Sequence, residues 1–243
     1  MTERAPEYRI TTPSHAERHL PLIVEAAGSA NLARLCGWLR ARSNWIEDRL
    51  AVHGGLLLRG FAVHSPDDFA RIARSIDDTL TRGECLGSSL RNAFTDNVFP
   101  TSKLPGDPPI PQPCEMSFTA PPPRRVFFCC LIPPAADSGE TPLSNFRRVW
   151  SELDPAVRSR FEERGLCIVR ARERPCGSQS LDCTDLDGRQ IPRVDLEQAR
   201  DVIWRHVADL PWRRGDVLVI DCVTTADSPL PDRRPRPIPV CWA

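Results

Sequence analysis

Residues 109–119 read Pro-Ile-Pro-Gln-Pro-Cys-Glu-Met-Ser-Phe-Thr, so Cys114, Glu115 and Ser117 bring a thiol, a carboxylate and a hydroxyl into one short segment. A cysteine nucleophile needs its pKa lowered by a nearby cation or a helix N-terminus. No His or Lys lies close to Cys114 in sequence, and the adjacent Glu115 pushes the thiol pKa the other way. The five His, at 15, 19, 53, 64 and 206, offer no ligand cluster. Only His15 and His19 have i, i+4 spacing, and they sit in a polar stretch where solvated imidazoles are ordinary. Arg233, Arg234 and Arg236 form an Arg/Pro-rich tail. A guanidinium there could grip an anion bidentately, or simply be solvated. Thr141, after Ser138-Gly139-Glu140, reads as an anion contact or as a plain turn residue.

These groups are far apart in the chain, so the elements between them decide whether they meet. Leu32, Leu35, Leu39, Ile46 and Leu50 recur at helical spacing, and Gly54-Gly55 stop that helix. Leu56–Leu58 predict a short strand. Ser65, Pro66, Asp67 and Asp68 open another helix, with Phe69, Ile72, Ile76 and Leu80 on its inner face. Residues 100–123 are a long Pro-rich loop, and loops of that length usually carry function or disorder. Val126–Ile132 predicts a strand buried on both faces. Asp154-Pro155 starts a helix that Gly165 ends. Leu166–Val169 predicts a strand, and residues 171–193 a loop. Leu196, Ala199, Ile203 and Val207 predict an amphipathic helix, and Val217–Ile220 a strand. Ile238–Trp242 predicts a last strand, which Pro239 restricts to an edge or a bulge.

The chain has 243 residues, enough for one domain with a sizeable core, and its formal net charge is zero. No block of like charge exists, which argues against nucleic acid or an anionic membrane as partner. Lys103 is the one Lys, a bias of coding rather than of function. Ten Cys are scattered with no C-x-x-C pair, and no secretory signal or 18-residue apolar run appears. Reduced, buried thiols in a cytoplasmic protein are expected. Residues 1–20 are polar and read as an arm, leaving 21–243 as one domain.

Several short segments together resemble the SyrP-like branch of the TauD/TfdA-type Fe(II)/2-oxoglutarate dioxygenases. They are Gly55-Leu-Leu-Leu-Arg-Gly-Phe61, Thr101-Ser102 before the Pro-rich loop, Arg124-Arg-Val-Phe-Phe-Cys129, Ser138-Gly-Glu-Thr-Pro-Leu143 and Trp212-Arg-Arg-Gly-Asp-Val-Leu-Val-Ile-Asp221. The resemblance implies an α+β fold: a double-stranded β-helix, a jelly-roll or cupin-like barrel with flanking helices, shortened between Val169 and Leu196. It places the first metal-binding turn at 113–115 and the second metal His at position 227. The acid of that turn is present as Glu115, but the His position holds Pro113. The second His is replaced by Asp227. A facial triad needs two imidazoles and one carboxylate, so neither metal nor cofactor is expected here.

If the implied fold holds, Glu115 and Asp227 meet where the iron would sit. Two close carboxylates cannot both ionise cheaply, and such a pair can serve as acid and base. A dead cavity with two relic acids, or a hard-cation site, are the plainer alternatives. By the same resemblance Thr141 and Arg236 would contact an anionic group, and Ser102, Cys114, Ser117 and Phe118 would line the substrate pocket. Three functions are thereby set against each other. The first is a metal-independent, non-oxidative enzyme on an amino-acid-derived intermediate, carrier-tethered or free. It would perform ring closure such as aziridine formation, or elimination. The second is a catalytically dead binding module. The third is an Fe(II)/2-oxoglutarate hydroxylase.

Overall fold

The structure is a computed structural model. It describes residues 3–5, 7–13, 20–28, 30–81, 93–101, 121–135, 138–170, 181–228 and 238–243. Two compact units result: residues 1–145 with 207–243, and residues 146–206.

The first unit begins with strands β1 (Glu3–Ala5), β2 (Tyr8–Thr11) and β3 (Leu22–Ala26), then helices α1 (Leu32–Arg40) and α2 (Ser43–His53). Strand β4 (Gly55–Arg59), helix α3 (Pro66–Ile76), and strands β5 (Phe99–Pro100), β6 (Arg125–Cys129) and β7 (Thr141–Asn145) follow. The second unit contains α4 (Phe146–Glu152), α5 (Pro155–Arg164), β8 (Cys167–Arg170), β9 (Leu181–Thr184) and α6 (Arg193–Arg205). The chain then returns to the first unit with β10 (Val207–Leu210), β11 (Val217–Asp221), β12 (Thr225–Asp227) and β13 (Pro239–Trp242).

Local chemistry explains most boundaries. Asn31 caps α1 by accepting from the Arg34 amide, and Ser65 caps α3 by accepting from the Asp68 amide. Pro66 and Pro155 occupy first helical positions. The single helix expected over Leu32–Leu50 is two, broken at Ala41–Arg42. Gly54 ends the second in the left-handed region, at φ 72°.

Two sheets make the first unit. One has eight strands in the order β1-β2-β3-β4-β11-β6-β13-β5, and the other has three in the order β10-β7-β12. Pairing is antiparallel apart from β3 with β4. Strands β4 and β6 are buried along their whole length, because alternate side chains enter two different cores. Leu56, Leu58, Phe127, Cys129, Val217 and Val219 pack with Leu35, Leu39, Ile46, Phe69 and Ile72 of the helices. Leu57, Val126, Phe128, Leu218, Ile220 and Trp242 pack instead with Leu143, Leu210 and Trp212. That second core joins the two sheets, and each such side chain contributes about 1.5–3 kcal/mol on burial. Two facing sheets with helices outside the larger one are the architecture expected.

Some expectations differ from the structure. Residues 3–5 and 8–11, read as part of an arm, pair into the edge of the large sheet, and Tyr8 and Ile10 are buried. The segment read as a 171–193 loop contains β9, paired with β8. The helix expected to reach Val207 stops at Arg205, and Val207 begins β10. Pro239 stands at the first position of β13, where a missing N–H costs little.

In the second unit α4 meets α6 through Val149, Leu153 and Val202. Asp195 accepts two hydrogen bonds from Arg160, at 2.8 and 2.5 Å. This pairing holds the Asp195 carboxyl below its usual range.

Candidate active site

The three-stranded sheet carries the described site residues. On β7, Asn145 pairs with Thr225 of β12, and Leu143 pairs with Asp227. On the other side Thr141 pairs with Leu210, and Leu143 with Ala208. Directly opposed residues share a face, and so do residues two apart on one strand. Thr141, Leu143, Leu210 and Asp227 therefore lie on one face. Leu143 and Leu210 belong to the core between the sheets, so this is the inner face. Asp227 sits across from Leu143, and Thr141 is the next inward position along β7. Such diagonal neighbours are roughly 7–8 Å apart. Asp227 is 8 % exposed and Thr141 4 %.

Strand β12 is fixed at both ends. The Asp221 carboxylate accepts from the Val223 and Thr224 amides and tightens the turn out of β11. The Thr225 hydroxyl donates to the Gly54 carbonyl at 2.9 Å, and the Asp221 amide donates to the same oxygen. A side chain at Gly54 would put its Cβ 2.1 Å from Thr225 Oγ1, so this approach requires glycine. Beyond Asp227, the Ser228 amide donates to the Pro142 carbonyl and continues the ladder.

Thr141 is held by Trp212, whose indole N–H donates to Thr141 Oγ1 at 2.9 Å. Trp212 is fixed in turn by an ion pair. Arg59 of β4 makes a bidentate contact with Asp216, at 3.1 and 2.7 Å. The same guanidinium donates to the Pro211 carbonyl, and Asp216 accepts from the Arg213 amide. Arg59 and Asp216 thus hold both chain neighbours of Trp212. The charged residues of the Arg-Gly-Phe and Gly-Asp segments serve a structural end here. In the sequence Trp212 is marked only by its Trp-x-x-Gly-Asp segment. Its bond to Thr141 joins positions 71 residues apart, and no local pattern announces it.

Of the sequence-derived site residues, Asp227 and Thr141 are brought together. Thr141 is a strand residue rather than a turn residue. Ser102, Cys114, Glu115, Ser117 and Phe118 lie outside the described residues, as does Arg236. His53 ends α2, His64 is exposed ahead of α3, and His206 lies 3.0 Å from Glu152 in the second unit. The strand position expected to offer an imidazole offers the Asp227 carboxylate, and the first imidazole position is Pro113. An all-oxygen donor set does not fit a facial triad for Fe(II).

Structural comparison places the fold among known oxygenases. PvcB of Pseudomonas aeruginosa superposes with a TM-score of 0.67 at 15 % identity, over 99 % of this chain and 92 % of that one. A taurine dioxygenase from Burkholderia xenovorans gives 0.64 at 14 % identity, over 98 % and 90 %. In sequence, a clavaminate synthase-like protein of Arabidopsis thaliana is 31 % identical over 137 residues, 54 % of this chain and 40 % of that protein. The dapdiamide synthesis protein DdaC of Enterobacter agglomerans is 26 % identical over 126 residues, 51 % of this chain and 37 % of that protein. The chain thus spans about two fifths of the length of these curated relatives. A family model described as "Taurine catabolism dioxygenase TauD, TfdA family" matches residues 16–201 and stops before β11, so the reading of Asp227 rests on the sequence resemblance at its own segment. On that match and the shared double-stranded β-helix, this chain belongs to the TauD/TfdA family.

Proposed function

We propose that the chain is a metal-independent, non-oxidative enzyme that uses Asp227, with Glu115, as acid/base carboxylates on an amino-acid-derived intermediate of natural-product biosynthesis. The observation that carries this reading is Asp227 itself. A buried carboxylate stands on the inner face of β12, beside Thr141 and an apolar core, where the family resemblance calls for an imidazole. The relative DdaC is a dapdiamide synthesis protein, which favours a biosynthetic setting.

The reaction is an intramolecular displacement or elimination. In ring closure, a carboxylate takes a proton from an ammonium or hydroxyl group. The freed lone pair forms a bond to a carbon two or three bonds away. That carbon's leaving group departs with the bonding pair, and no electron is gained or lost overall. Such a step needs a base beside the nucleophile and a pocket that enforces in-line geometry. Closure to a three-membered ring such as an aziridine is the concrete form. The substrate can be free or tethered to a carrier protein.

Elemental analysis after anaerobic Fe(II) loading, paired with a product assay, tests the proposal. The assay uses O-phospho and O-sulfo amino acids, free and as pantetheine thioesters, with chelator and without oxygen. The proposal expects no stoichiometric iron and a product lighter by the leaving-group acid. About one iron per chain, with 2-oxoglutarate converted to succinate in a parallel assay that supplies Fe(II) and oxygen and omits the chelator, would end it.

A further inference from the structure

The Thr141 hydroxyl carries an unspent proton. It is 4 % exposed, and it accepts from the Trp212 indole at 2.9 Å. An indole N–H can only donate, so the hydroxyl oxygen must be the acceptor in that bond. Among the described residues Thr141 Oγ1 donates to nothing. A buried donor without an acceptor is costly, and buried polar groups are ordinarily paired. Thr141 also lies at the diagonal position from Asp227 on the inner face.

We infer that Trp212 is a positioning residue that turns the Thr141 O–H into an obligatory donor to the acyl carbonyl oxygen of the substrate. The inference rests on the proposed reading of Asp227 as the base. In an amino acid derivative the carbonyl oxygen and the reacting amine or hydroxyl are a few bonds apart. Side chains reaching inward from diagonal strand positions can hold both ends at once. A neutral carbonyl suits this site, because a second anion beside Asp227 would be repelled. Trp212 acts by occupying a lone pair on Thr141 Oγ1, which leaves the hydroxyl hydrogen to point elsewhere. The Arg59–Asp216 pair sets the position of the indole.

The test titrates the full chain with L-serinamide and with the N-acetylcysteamine thioester of O-phosphoserine. It follows the dissociation constant by calorimetry in every variant, and the Trp212 indole N–H resonance in those that keep Trp212. Wild type is expected to show a saturable shift. Thr141→Val should weaken binding about tenfold, the loss of one hydrogen bond. Thr141→Ser should stay within about twofold of wild type, as the hydroxyl is kept. Trp212→Phe should weaken binding several-fold in the wild type and not at all in the Thr141→Val background, because it acts through Thr141. If Trp212→Phe unfolds the chain, the Thr141→Ser and Thr141→Val comparison decides alone. Unchanged affinity in Thr141→Val and Trp212→Phe, with turnover lost in Asp227→Asn, overturns this inference and leaves the base in place. Loss of affinity in both variants, with Asp227→Asn fully active, supports the donor and removes the proposed base. No saturable shift with either probe overturns the inference.

Discussion

The bidentate pair between Arg59 and Asp216 holds the chain on both sides of Trp212, through the Pro211 carbonyl and the Arg213 amide. A buried ion pair is poor evidence for stability by itself, but breaking one strands a charge. Here it also sets the residue that holds Thr141.

Asp216→Asn should therefore destabilise the chain by about 3 kcal/mol, since Asp216 is fully buried and Arg59 nearly so. Replacing both partners with apolar residues should cost less than the sum of the single changes. Urea unfolding of the three variants measures this. A loss within experimental error for Asp216→Asn would show the pair to be incidental.

Gly54→Ala should destabilise by about 2 kcal/mol or more. The residue has φ 72°, and an added Cβ would meet Thr225 Oγ1 at 2.1 Å. Because Thr225 anchors the strand that carries Asp227, turnover should fall with stability. Gly60→Ala serves as the control. That residue also has positive φ, yet an added Cβ meets nothing closer than 3.7 Å. Equal behaviour of the two variants would detach the Gly54–Thr225 contact from the site.

Asp195 should show in the acid limb of stability of the second unit. The hydrogen bond from Arg160 holds its folded pKa below the ordinary value. Its contribution is then complete above about pH 4 and is lost as pH falls through the depressed folded value. Arg160 is partly exposed, so solvent and salt weaken the effect. Amide exchange of α5 and α6 should rise in acid in the wild type, and Asp195→Asn should be less stable at neutral pH with a flatter acid limb. An unchanged acid limb would show that other carboxylates dominate.

Helix starts were legible in the sequence because their signals are local. Ser65 with Pro66, and Asp154 with Pro155, stand where α3 and α5 begin. The apolar runs at 126–132 and 217–220 became β6 and β11 for the same reason. The short strands were missed. β10 and β12 have four and three residues, too few for a period to show, and their pairing with β7 is long-range. The N-terminal strands look polar because they form the outer edge of the large sheet, where alternate residues face solvent. Asp227 could be picked out only through the family resemblance, since nothing within its own segment marks it. The partnership of Trp212 with Thr141 needed the folded chain.

The most direct test of the account replaces the two carboxylates isosterically, as Asp227→Asn and Glu115→Gln. Thermal melting and product formation under chelator, without oxygen, are measured for both variants and the wild type. If the carboxylates act as acid and base, removing one relieves like-charge repulsion. Melting should then stay unchanged or rise, while turnover falls by a factor on the order of 10²–10⁴. Full activity in both variants would contradict the account and leave the carboxylates as relics of a lost metal site.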